Sequence, residues 1–122
     1  MSDGLSTANA DAALATIVSD WDYEQLHTGA PGSAGTANVS STTTREAITW
    51  GSPSAGSVSA TDEPEWVSWT GSNGETVTDT SGWSASTSGT FEGSEQLSAS
   101  VVMDTGDDLT LTENTITIPV AA

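Results

Sequence analysis

The chain has 122 residues, no cysteine, 17 acidic side chains and a single arginine, Arg45, as its only Lys or Arg, for a net charge of −16. That length bounds one modest core, the missing cysteine excludes disulfides, thiolate metal sites and thiol nucleophiles, and the charge sets the chain against nucleic acid phosphate and anionic membranes. A lysine-free surface rich in carboxylates and threonine is the pattern expected in brine, where the Debye length falls to about 3 Å and carboxylate repulsion is screened.

In chain order, the N-terminal segment lacks both the basic flank and the apolar core of an export signal, and no apolar run approaches the roughly 20 residues needed to span a bilayer. Nothing in it directs secretion by the usual signal. Residues 6–21 predict one amphipathic helix, capped by Ser6 or Thr7, with Leu14, Ile17, Val18 and Trp21 on one face. The run "YEQLHT" then alternates Tyr23, Gln25 and His27 against Glu24, Leu26 and Thr28, as a short strand does.

Residues 29–44 are rich in Gly, Ser and Thr, contain the Pro31-Gly32 turn signal, and predict a loop or an extended arm. A side-chain-poor arm contributes little to an isolated fold, so it is expected to be ordered by a neighbouring subunit through backbone pairing. From residue 45 to 120 the runs "REAITW", "SVSAT", "EWVSW", "TVTDTSGWSA", "GTFEGSEQLSASVVM", "DLTLT" and "TITIPV" alternate with Gly, Pro, Asn and Asp clusters. Many short strands with almost no helix between them predict a mainly β protein, an antiparallel, jelly-roll-like β-sandwich with one short N-terminal helix, in a single domain over 1–122. The expected core is Ile48, Trp50, Val77, Phe91, Leu97, Val101, Met103, Leu109, Leu111, Ile116 and Ile118. Trp66 and Trp69 differ by an odd spacing, so in a regular strand one of them faces outward against a neighbouring subunit; the alternative is that a bulge or the helix covers it.

Few residues suggest chemistry. One histidine cannot supply a metal site or a Ser-His-acid triad in the usual way, and His27, at a strand end, is expected to bond backbone at the start of the loop. The run "VVMDTGDD" resembles the way dimeric aspartic proteases present an Asp, here Asp104, but a hairpin turn explains the same letters. Asp104, Asp107 and Asp108 could attract a cation, although their spacing fits no EF-hand loop. "NVS" at Asn38 matches a glycosylation acceptor, and Trp69 or Trp83 could stack a sugar if exposed.

Leu26-His27-Thr28, Pro31-Gly32, Arg45 ahead of Ile48 and Trp50, Thr76-Val77-Thr78 and Gly82-Trp83-Ser84 together resemble a family of small structural proteins of tailed viruses of bacteria and archaea, known as tail fibre or head decoration proteins. The resemblance implies a virion component with a β-sandwich fold, and the acidity adds a haloarchaeal host. The expected function is a non-enzymatic capsid-surface decoration or turret subunit, without cofactor or metal. A tail fibre or baseplate component, or a carbohydrate-binding β-sandwich, is the alternative. Expected partners are further copies of the chain in a trimer or pentamer, the major capsid protein or tail proteins, and a host-surface glycan; nucleic acid and membrane are not. Pro31, Gly32, Arg45, Trp66 and Trp69 are the candidate subunit contacts, Arg45 by pairing a carboxylate across the interface or by pinning the loop.

Overall fold

The computed structural model describes residues 3–112 and 114–121. It is mainly β and antiparallel with a single short helix, as the sequence predicts. Helix α1 (Thr7–Val18) is followed by β1 (Tyr23–His27), β2 (Glu46–Ala47), β3 (Thr49–Trp50), β4 (Ser57–Asp62), β5 (Glu65–Trp66), β6 (Glu75–Trp83), β7 (Phe91–Met103), β8 (Leu109–Thr110) and β9 (Thr115–Thr117). The sheet orders are β2-β1-β6-β7, β3-β4-β9 and β5-β8.

Ser6 caps α1 by accepting from the Asn9 N–H at 3.2 Å. The helix buries a narrower face than its periodicity suggests: Ala10 and Leu14 are inside, whereas Ile17 is 37% exposed. The reason is length. The helix stops at Val18, so Trp21 is not its last apolar position but a loop residue aimed elsewhere. Asp11 accepts from the Gly56 N–H at 2.8 Å and fastens the helix to the turn before β4.

The stretch "REAITW" does not run as one strand. Glu46–Ala47 pairs with β1 and Thr49–Trp50 with β4. Between them, Ile48 is buried and its N–H donates to the Asp22 carbonyl at 2.9 Å. The chain thus changes sheets at Ile48, which is how a sandwich makes a corner. Trp50 is consequently half-buried, edge-on to Trp21 at 5.7 Å between ring centroids.

The core gathers Leu26, Trp66, Trp69, Val77, Met103, Leu109 and Leu111, with Leu97 and Val101 packed against it. Of the other expected core residues Ile48 is buried, and Trp50, Phe91, Ile116 and Ile118 are half-buried. Both Trp66 and Trp69 are buried, so the outward tryptophan expected from a regular strand is absent here. Ser68 explains it, with φ at 52°, and the Asp108 carboxylate accepts from its N–H at 2.8 Å. One left-handed residue breaks the alternation and returns Trp69 to the core. The indole N–H groups end on the carbonyls of Thr44 (2.9 Å) and Ser72 (3.1 Å).

Residues 29–44 form a loop, but it is folded onto its own domain instead of reaching for a neighbour. Thr28 N–H donates to the Asn38 carbonyl at 2.8 Å and Ser40 N–H to that of Leu26 at 3.0 Å. Pro31 is fully buried. At the far end the Glu75 carboxylate accepts from the Ser40 hydroxyl and from the Ser41 N–H (3.2 and 3.1 Å). Backbone bonding replaces the missing side-chain packing, and it is intramolecular.

Candidate binding groove

The register of β1, β6 and β7 sets opposite one another Glu24 and Gly82, Gly82 and Gly93, and Thr80 and Glu95. All five residues therefore share one sheet face. The two glycines leave a flat bed on which Trp21 lies: a Cβ on Gly82 would sit 2.0 Å from the indole, and one on Gly93 2.9 Å from it. The Trp21 Nε1–H donates to Glu24 Oε1 at 3.0 Å.

Beneath that indole Glu24 is completely buried, and its Oε2 finds no hydrogen-bond partner; Glu95 Oε1 is likewise buried and unpartnered. Burial first, and the neighbouring Glu95 charge second, push the Glu24 pKa up to about 8 against the opposing bonds from Trp21 and Thr80. Burial also raises Glu95. At neutral pH Glu24 accordingly keeps its proton.

Glu95 opens into a groove of about 810 Å³ between β7 and residues 109–117. Trp21 closes one end, Leu97 and Val101 give it an apolar floor, and Leu111 and Asn114 stand on the opposite wall. Strand β7 is terminal in its sheet and β9 in its own, so the groove is the open side of the sandwich.

The other face of the sheet is a closed hydrogen-bond chain. Trp83 Nε1–H donates to Ser81 Oγ (2.7 Å), the Ser81 hydroxyl lies 2.6 Å from His27 Nε2, and His27 Nδ1 lies 2.8 Å from the Ala37 carbonyl. The chain is consistent when His27 carries its proton on Nδ1 and donates it to the loop. Burial lowers the His27 pKa. Ser81 and His27 are both fully buried, so this pair binds the loop to the sheet and meets no substrate. Its backbone bond to the loop is the role the sequence predicts for His27.

Arg45 lies on this face as well. Its guanidinium stacks over Trp83 at 4.0 Å, Nη1 donates to the carbonyls of Ala85 (2.9 Å) and Ser88 (2.7 Å), and Nε to Gln25 Oε1 (3.3 Å). Arg45 therefore pins a loop, as one of the two sequence expectations has it, but the loop is 84–90 and not 29–44. Arg45→Ala is expected to cost about 1–2 kcal/mol in denaturant unfolding and to open loop 84–90 to proteolysis. Arg45→Lys should recover little of it, because an ammonium cannot reproduce the stacked fork. A variant with unchanged midpoint and cleavage would show that these contacts do not hold the loop.

Of the other candidate contacts, Pro31, Trp66 and Trp69 are buried in their own chain, and Gly32 is exposed at a φ of 77°. Trp83 is buried too, which leaves neither Trp69 nor Trp83 as a platform for sugars. Asp104 occupies an exposed turn in which its N–H bonds Asp107 Oδ2 at 2.9 Å. The turn expected of "DTGDD" is there, with Asp107 N–H donating to the Asp104 carbonyl at 3.0 Å, but it joins two sheets and does not close a hairpin, since β7 pairs with β6 and β8 with β5. Among the described residues no group of three or more His, Cys, Asp or Glu could hold a metal ion. Nothing in the sequence marks Trp21, Glu24 and Glu95 as a site. The available signal was the alternation of "YEQLHT", which puts Glu24 on the Leu26 side of the strand.

Two comparisons with known proteins bear on the chain. A family model described as podophage GP4 fiber I protein gp80 matches residues 2–119. No curated protein matches the chain.

Proposed function

Since the chain belongs to the podophage GP4 fiber I protein gp80 family, we propose that it is a non-enzymatic structural subunit of a virion tail fibre. The observation that carries this reading is the extent of the family match, which takes in almost the whole chain, residues 2–119. It favours the fibre alternative over the capsid-surface decoration expected first, and its podophage description lends no support to a haloarchaeal host. The buried Ser81–His27 pair and the turn position of Asp104 support a structural role, since the two most catalytic-looking arrangements are both engaged in holding the fold.

Partners in the fibre are further copies of the chain or other tail proteins. With Pro31, Trp66 and Trp69 buried, contacts fall on exposed apolar positions such as Val67 and Val102 and on the groove. The test is to quantify and localise the chain in purified particles with an antibody against it. Low copy number with label confined to the tail is the expected result. Copy number on the scale of the capsid lattice, with label over the head, would restore the decoration reading.

A further inference from the structure

The groove holds an unsolved polar problem. A buried carboxyl oxygen left without a partner destabilises the fold, and here two sit on one sheet face, Glu24 Oε2, on a group that keeps its proton at neutral pH, and Glu95 Oε1. Their surroundings on that face are Thr80, which faces Glu95 across the strands and bonds the Glu24 carboxyl, Trp21, whose N–H is already used on Glu24 Oε1, and the side-chain-free Gly82 and Gly93. The only arginine bonds Gln25, next to Glu24 in β1 and so on the opposite side of the sheet, and the chain has no lysine.

The surroundings also favour a cation. Asp20 and Asp22 flank Trp21, and together with burial, the larger cause, their charges raise the pKa of Glu92 on β7. Negative charge thus gathers near Trp21, although these three carboxylates lie outside the groove lining. Beside it, β7 is 13 residues long and terminal in its sheet, without lysine or proline, and its register with β6 shifts between Gln96 and Val101. Leu97 and Val101 supply an apolar floor, and Thr110, Thr112 and Thr115 line the opposite wall. An extended strand presents one row of side chains inward and the other outward, which suits such a cleft.

We propose that the groove is a docking site for an extended segment of a partner polypeptide carrying a lysine or arginine, which runs along the edge of β7 and sets its cationic group on Glu95, with Glu24 behind it. An ammonium or guanidinium brings several donors and no acceptor, which is what the unpartnered oxygen of Glu95 requires; Glu24, fully buried beneath Trp21, is not itself in contact with it. A second copy of this chain is a poor occupant, because its one arginine is engaged and its charge is −16. The inference does not depend on where the chain sits in the virion.

The test uses the full chain and two synthetic peptides of alternating Thr and Val, one with a central Lys and one with Gln in its place. Titration calorimetry should show the Lys peptide binding about tenfold tighter or more, the scale of one charge-assisted contact. Glu95→Gln should abolish that preference. Asp79→Asn, an equal charge change on the opposite face, should leave it intact. Hydrogen exchange should slow at β7 amides when the Lys peptide binds. Equal affinity for the two peptides, absence of binding, a Lys preference that survives Glu95→Gln, or protection away from β7 would each overturn the proposal. So would displacement of the Lys peptide by equimolar calcium, which would make the site one for a free cation.

Discussion

Gly82→Ala is expected to be the most damaging small substitution in the chain, costing about 3–5 kcal/mol in chemical denaturation. The figure follows from what the methyl group would displace. Its carbon would lie 2.0 Å from Trp21 Cε2 and Nε1, inside any tolerable contact, and Trp21 is only 4% exposed. Nor can the indole simply slide. It packs against Gly93, stands edge-on to Trp50, and donates to Glu24. The variant must lose most of the packing of a buried tryptophan, and leave Glu24 Oε1 without its donor as well.

Gly93→Ala, with its new carbon 2.9 Å from the outer edge of the same ring, should cost clearly less. Coupling is the sharper check. Trp21→Leu will itself destabilise, but adding Gly82→Ala to it should cost much less than Gly82→Ala alone, because the obstacle has gone. Additive losses in that cycle would mean that the glycine serves some purpose other than making room for the indole.

The second large effect concerns pH. Below its ordinary value of 4.5, Glu24 is neutral whether the chain is folded or not, and its burial carries no ionisation penalty. Between 4.5 and about 8 the unfolded chain releases the proton and the folded chain keeps it, so stability falls as pH rises through that window. Above about 8 both states are ionised and the penalty levels off at its maximum, on the order of several kcal/mol. Glu24→Gln removes the titration while retaining an oxygen to accept from Trp21. It also places an amide N–H at the Oε2 position on the side of Glu95. The variant should match the parent near about pH 4 and outlast it increasingly toward about pH 8.5 in urea unfolding. Parallel stability curves for the two proteins would show that Glu24 titrates normally and is not desolvated.

Much of this architecture is readable before any coordinates. Ser6 caps the helix, the β runs from "SVSAT" to "TITIPV" contain the observed strands, and the turn clusters between them hold Gly56, Gly74, Gly89 and Gly106, all at positive φ. These are local properties: a side-chain acceptor three residues from an N–H, a period of two, and a residue without a Cβ where the chain reverses. The candidate contacts were less legible. Trp66 and Trp69 follow the odd-spacing rule only if the strand is regular, and a single residue, Ser68 at φ 52°, suspends it.

The sequence by itself determined the mainly β class, the lone helix, the excess of carboxylate and the resemblance to tailed-virus structural proteins, because composition and short-range periodicity carry the first three and short motifs the last. Only the tertiary structure decided that loop 29–44 closes on its own domain, that "REAITW" is divided between two sheets, and that Glu24 lies under Trp21 facing Glu95. Each of these depends on residues far apart along the chain meeting across strands, Gly82 and Gly93 beneath Trp21 above all. Alternation places a side chain on one face of a strand, but what covers that face is settled by the elements that pack on it.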